Sequence, residues 1–280
     1  MARILTIGVL TEDIVNTVKT YPDEDSKVRT TDHHRRVGGN AANTAMKLAW
    51  LKNESFWLGN LPGHTSWVRQ QLDHWGVDYS LAQELKQGHL PTSFITLSEE
   101  TGSRTIVHHR DMPEYDAKHF LKLDIRAFDW LHFEARELVE IPQMMSKARG
   151  MCGIPVSLEI EKPHQGVEAM FEYADVIFFS KEYAQSRGFS NANDFLKAVE
   201  FHGIATCAWG ALGAWAKNDF GQMFYAPAKE NVHVVDSVGA GDVFNAGMID
   251  GICRGMNVES ALQHAVLLAG DSVEHEGVVW

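Results

Sequence analysis

The chain has 280 residues, 45% hydrophobic and 22% charged, which suits one large globular domain or two small ones and excludes long disorder. Its 25 Lys+Arg against 37 Asp+Glu give a net charge of −12, which argues against nucleic acid as a partner over the whole surface but leaves room for a local anion site. No apolar run reaches the roughly 20 residues of a membrane helix, and the 3 cysteines (Cys152, Cys207, Cys253) are scattered, so neither a disulfide framework nor a zinc ribbon is expected.

The first apolar run, Ile4–Leu10, reads as a buried strand and not as a secretory leader. No small-residue cleavage site follows it, and acidic Glu12 and Asp13 come at once. A cytoplasmic protein is therefore expected. Asp13 falls beyond the carboxyl end of that strand, where ligand sites of α/β sheets lie; its competing role is a turn or helix cap. Residues 14–37 and 88–110 break the α/β rhythm with alternating stretches such as Ser93–Leu97 and Arg104–Val107. The turn Ser98–Gly102 between these two suggests a hairpin, and the two regions together suggest a small antiparallel lid.

Between the lid regions, Arg35–Ala45 runs Arg-Arg-Val-Gly-Gly-Asn-Ala-Ala-Asn-Thr-Ala. Its Gly38-Gly39 pair permits close backbone approach, and Asn40 and Asn43 share one face of the helix predicted over Asn40–Leu51. Side-chain amides offer both a donor and an acceptor, as sugar hydroxyls require; Asn40 alone would equally serve as a helix cap. A helix over Ser66–Trp75 follows.

Beyond the lid, strands are predicted at Trp130–Phe133, Val156–Ile160, Val176–Phe179 and Ile204–Ala208, alternating with helices at Pro142–Ala148, Gly166–Tyr173 and Ala192–Phe201. Such βα alternation implies a parallel sheet covered on both faces. The pairs His33-His34 and His108-His109 are read as lid-surface histidines and the 8 tryptophans as core or interface residues. A P-loop is excluded because G-x-x-x-x-G-K-[ST] does not occur.

The most informative segment is Asp236-Ser237-Val238-Gly239-Ala240-Gly241-Asp242-Val243-Phe244, predicted to follow a short strand at His233–Val235 and to open a helix running to about Cys253. Its glycines and the free amides of a helix's first turn form an anion site suited to a phosphoryl group. Asp242, at the helix start, is expected to be held ionised by the dipole and to accept a hydroxyl proton.

The Gly38–Asn43 and Asp236–Asp242 strings resemble the two signatures of the ribokinase family of carbohydrate kinases, also called the PfkB family. The resemblance runs essentially end to end and is strongest to the ketohexokinase branch. Supporting stretches are Tyr21–Ser26, Gly102–Ile106, Ser157–Pro163, Phe179–Lys181 and Cys207–Trp209. It implies a ribokinase-like three-layer α/β sandwich: a single domain over 1–280 with a mostly parallel sheet and a discontinuous antiparallel lid from about 14–37 and 88–110.

The resemblance further implies roles for particular residues. Asp242 matches the catalytic base and Gly239, Ala240 and Gly241 an anion hole. Asp13, Gly39, Asn40 and Asn43, with Glu134 as a weaker candidate, match positions that grip the sugar. Arg104 matches a lid arginine near the phosphoryl path, with a solvated hairpin charge as the equal alternative. Trp209, Gly210 and Gly213 match the turn that frames the nucleotide, with Val273 near the adenine; Gly210 and Gly213 could equally end a strand and start a hairpin. ATP is the implied cofactor, with Mg²⁺ carried on it and a monovalent cation as a further candidate. No metal ligand is assigned, because Ser180-Lys181-Glu182-Tyr183 stands where many members carry Asn-x-x-Glu. The implied reaction is ATP-dependent phosphorylation of a primary hydroxyl of a ketohexose, fructose giving fructose 1-phosphate. The alternatives are a kinase for ribose, another sugar or a nucleoside, and a non-catalytic sugar sensor. The implied partners are a small-molecule sugar, ATP and a second copy of the chain joined through the lid, with Asp25 reaching the partner's site.

Overall fold

The computed structural model describes residues 1–101 and 103–280. In chain order its strands are β1 (Arg3–Ile7), β2 (Thr11–Val18), β3 (Asp32–Gly38), β4 (Glu54–Leu58), β5 (Asn60–Pro62), β6 (Val77–Asp78), β7 (Gln83–Leu85), β8 (Thr92–Ser98), β9 (Arg104–His109), β10 (Trp130–Glu134), β11 (Val156–Ile160), β12 (Val176–Phe179), β13 (Ile204–Ala208), β14 (Ala214–Lys217) and β15 (Met223–Ala226). The helices are α1 (Asn40–Trp50), α2 (Ser66–Trp75), α3 (Ala117–Phe120), α4 (Glu140–Met145), α5 (Lys181–Ser186), α6 (Ala192–Ala198), α7 (Ala240–Cys253) and α8 (Val258–Ser272).

The main sheet runs β15-β14-β13-β12-β11-β10-β1-β4-β6, parallel from β13 to β6 and antiparallel only at the β13–β14–β15 edge. Strands β10, β11 and β12 are buried along their whole length, which is why they read as unbroken apolar runs. Helices α3 to α6 cover one face with Phe120, Met145, Tyr183 and Phe195. On the other face α7 and α8 pack through Phe244, Ile249 and Leu262, and α1 and α2 through Ala45, Met46, Val68 and Leu72. The result is the three-layer α/β arrangement expected from the sequence.

A second sheet, β3-β2-β8-β9, stands on the carboxyl side of β1. It consists of two antiparallel hairpins, β2–β3 and β8–β9, as expected for the lid, joined by a parallel central pair β2·β8. The chain enters this sheet directly from the main sheet and re-enters it from the β7–β8 connection, so both hairpins start in the same direction. Asp13 belongs to β2 itself and not to the loop after β1. The predicted hairpin turn is closed by the Ser98 N–H donating to Ser103 O at 2.9 Å; its Gly102 lies outside the described residues.

Other elements depart from the pattern. His233–Val235 is not a strand: among the described residues none pairs with it as a strand, Val234 is exposed, and the Val235 and Asp236 amides both donate to Val273 O. Gly166–Tyr173 forms a 3₁₀ helix over Val167–Tyr173, the helix near Pro142 begins at Glu140 and ends in a π turn over Ser146–Met151, and α6 stops at Ala198. Strand β4 and the β14–β15 hairpin had no clear signal. Of the tryptophans, Trp57, Trp130 and Trp209 are buried.

Candidate active site

The carboxyl ends of β11, β12 and β13, the starts of α1 and α7, and the inner face of the second sheet enclose a cavity of about 820 Å³. It brings Asp13, Gly39, Asn40, Asn43, Arg104, Gly239, Gly241 and Asp242 to one space, although they come from both ends of the chain. Its centre is a single bond: Asn43 Nδ2 donates to Asp242 Oδ2 at 2.7 Å, joining the first turns of α1 and α7.

Local geometry explains why α7 begins where it does. Gly239 has φ 81°, which a side chain resists. A Cβ there would also lie 2.4 Å from Val278 Cγ1 and 3.3 Å from Asn43 Nδ2. At Gly241 a Cβ would meet nothing within 4 Å, so the first turn of α7 is open to whatever enters the cavity. The amides of that turn and the positive end of the helix favour an anion.

Asp242 is 5% exposed, and its carboxyl is pushed well up from the ordinary range. Burial is the main cause, and the nearby Glu134, Glu161 and Asp13 carboxylates add to it against the Asn43 hydrogen bond. Burial and these carboxylates thus oppose the ionisation that the helix start favours. A carboxylate raised in this way is a stronger base once it is ionised beside a hydroxyl. Glu159 on β11 is pushed up for the same reasons: burial first, then Asp242, Glu134 and Glu161.

Asp13 receives a hydrogen bond from Thr11 Oγ1 at 2.9 Å and lies 4.0 Å from Arg36 Nε. Asn40 Nδ2 donates to Glu161 Oε2 at 3.3 Å. Glu134, the last residue of β10, is set apart from the main cavity. Its Oε1 accepts from the Ala41 N–H of α1, and burial pushes its carboxyl up to about 7. A side cleft lined by Asn40, Glu134, Arg136 and Glu159 connects it to the main space.

A second cleft, of about 400 Å³, is lined by Gly210, Gly213, Ala240, Val266, Ala269 and Val273. It shares Gly210, Ser237, Gly241 and Phe244 with the main cavity, so the two meet at the glycine turn. Trp209 is not part of the wall: it is buried, with Lys181 Nζ 5.5 Å from its ring centroid. A mostly apolar cleft running into helix-terminal amides can hold a purine nucleotide with its terminal phosphate at α7.

The second sheet is tied to this turn by two arginines. Arg104 Nη1 donates to Ser237 Oγ at 3.1 Å, so it is not a free hairpin charge. Arg36 pairs with Asp236, whose carboxyl also accepts from the Val238 and Gly277 amides. Sequence reasoning passed over Arg36, Asp236 and Glu159 as site residues. The Arg36–Asp236 pair spans 200 residues, and only the placement of both beside a glycine pair hinted at it. His33, His108 and His109 are exposed as expected and His34 is half-buried; His108 also lines the cavity and contacts Ser93 Oγ. Among the described residues no group of three or more His, Cys, Asp or Glu side chains is disposed to hold a metal directly.

This combination, a parallel α/β sandwich with a covering sheet, an open glycine-led helix start and a buried carboxylate beside it, defines a phosphotransferase acting on the hydroxyl of a sugar or nucleoside. The chain belongs to the pfkB family of carbohydrate kinases, whose model matches residues 1–279. It is 34% identical to the ketohexokinase of Mus musculus over 98% of this chain and 97% of that protein. Its fold is that of a ribokinase from Cryptococcus neoformans var. grubii in complex with ADP, with a TM-score of 0.80 at 18% identity over 99% of this chain and 96% of that one. A Burkholderia thailandensis nucleoside kinase in complex with inosine superimposes with a TM-score of 0.77 at 19% identity, covering 98% and 91%. The family is ATP-dependent, and no described helix is long and apolar enough to cross a membrane.

Proposed function

We propose that this protein transfers the γ-phosphoryl group of ATP to a primary hydroxyl of a ketohexose, converting fructose to fructose 1-phosphate. The observation that carries the reading is the Asn43–Asp242 bond, which sets a buried carboxylate between the α7 amides and the polar wall of Asp13, Gly39 and Asn40. Asp13, Asn40 and Asn43 bind and orient the sugar, Asp242 accepts the hydroxyl proton, and the turn Gly239–Gly241 stabilises charge on the transferring group. The ketohexose assignment draws on the 34% identity to the mouse ketohexokinase.

The apolar cleft at Gly210, Gly213 and Val273 receives the adenine, and Mg²⁺ enters on the nucleotide, with a monovalent cation as an optional further ion. The second sheet acts as the lid, tied down by Arg36 and Arg104, and excludes water. In this reading residues 1–280 form a single cytoplasmic kinase domain. Two copies pair through the outer lid face, where Phe94 and Val107 are exposed, and Asp25 reaches toward the partner's site.

A nucleoside acceptor needs a stacking surface beside Asp13. The cross-strand neighbours of Asp13 are instead Arg36 and Ser93, which favours a sugar. The test is ADP release from Mg·ATP against fructose, ribose, tagatose, sulfofructose and adenosine, with the product's phosphate position determined. Fructose-dependent release with the phosphate on carbon 1 is expected. Release with ribose or adenosine alone would overturn the substrate assignment, and nucleotide and sugar binding without turnover would overturn the kinase.

A further inference from the structure

Glu134 and Glu159 stand opposite each other on the paired strands β10 and β11, so both carboxylates rise from the same face of the sheet. Their surroundings differ. Glu134 is satisfied by the amide at the start of α1. Glu159 is 8% exposed, and its Oε2 is buried without a hydrogen-bond partner, although it lines both the main cavity and the side cleft. A buried carboxylate oxygen that faces a cavity unpaired calls for a donor from whatever fills that cavity.

The donor's chemistry follows from its neighbours. Asp242, Glu134 and Glu161 surround Glu159 with negative charge, and burial and repulsion push Glu159 and Asp242 toward the neutral form. A sugar hydroxyl would satisfy one lone pair and leave the repulsion in place. Water bound to a divalent cation supplies polarised O–H donors and offsets the charge together, and magnesium on a nucleotide keeps several such waters. Tyr183 cannot serve, because it is buried in the far hydrophobic layer, and Glu182 does not line the cavity. We propose that Glu159, with the exposed Glu161 beside it, accepts hydrogen bonds from the water shell of the nucleotide-borne divalent cation and so positions that cation over the α7 turn. The proposal rests on the nucleotide-binding reading above.

The test uses the full chain with ADP and Mn²⁺, following free Mn²⁺ by electron paramagnetic resonance, so that no turnover is needed. Glu159→Gln is expected to weaken Mn²⁺ binding in the ADP complex by about tenfold or more, and Glu161→Gln by a smaller factor. Metal-free ADP affinity and fructose affinity, both by calorimetry, are expected to stay within about twofold. Unchanged Mn²⁺ affinity in both variants would overturn the proposal. So would a loss of fructose affinity at constant Mn²⁺ affinity, which would assign the carboxylate to the sugar. If Glu159→Gln does not fold, the exposed Glu161→Gln decides alone. Absence of ADP binding by the unmodified protein would instead contradict the nucleotide cleft, a separate result.

Discussion

Helices α1 and α7 begin in the same way and serve different ends. Each follows a glycine with positive φ, Gly39 at φ 94° and Gly239 at φ 81°, and each points its first turn at the same cavity. At α1 a sheet carboxylate, Glu134, takes the Ala41 amide, so part of the helix's anion-binding capacity is consumed within the fold. At α7 the carboxylate of the first turn is the helix's own Asp242, turned toward Asn43, and the space over Gly241 is open. What a glycine-led helix start does is thus decided by the strand residue beneath it and not by the turn alone.

The largest expected effect that separates the two helices is that of Gly239→Ala. Its Cβ would press on Val278 and Asn43 and tilt the α7 amides, so kcat is expected to fall about 100-fold or more while sugar affinity changes little. In Gly39→Ala the Cβ would meet the Val9 carbonyl at 2.5 Å, and the main effect is a loss of stability of roughly 2–3 kcal/mol, read by denaturant titration. Equal kcat losses in the two variants would erase the distinction.

Next in size is the tie between lid and turn. Arg36→Met leaves Asp236, a mostly buried carboxylate, without its guanidinium and is expected to cost about 3 kcal/mol. Burial alone would raise the Asp236 carboxyl, but Arg36 and the Val238 and Gly277 amides hold it below its ordinary value. A depressed carboxyl contributes stability above its unfolded pKa of about 4 and loses it as pH falls through the folded value. Thermal unfolding of the two proteins should therefore diverge at pH 7 and converge in acid. A gap that does not narrow with acid would mean that packing, not charge, holds the lid to the turn.

The smallest effect concerns Glu134, raised to about 7 by burial. A raised carboxyl gives stability that is complete at low pH and lost as pH rises from about 4.5 through 7. Glu134→Gln keeps an acceptor for Ala41 and removes that decline, so its stability is expected to be flatter across the range. An unchanged slope would mean that Glu134 is ionised in the fold throughout.

Much of this was legible in the sequence where the physics is local. Strands buried on both faces show as apolar runs, and Val156–Ile160, Val176–Phe179 and Ile204–Ala208 lie where those runs are. The glycines and Asp242 were legible because a turn before a helix start needs those residue types in order. The edge hairpin β14–β15 was not, since Met223, Phe224 and Tyr225 are only partly covered and its pattern is mixed. Neither was the seam β2·β8, a pairing between distant segments, nor the Arg36–Asp236 and Asn43–Asp242 contacts across 200 and 199 residues. The upward pressure on the Asp242 carboxyl was not legible for a related reason: Glu134, Glu161 and Asp13 act on it through space, and local sequence shows only its own helix.

The central claim is that the start of α7 performs the chemistry and the start of α1 orients the acceptor. Asp242→Asn tests it most directly, since the amide keeps the shape and cannot take a proton. We expect kcat with fructose to fall by about 10³-fold or more and fructose affinity, measured by calorimetry, to stay within about threefold. Near-normal turnover in that variant would contradict the account.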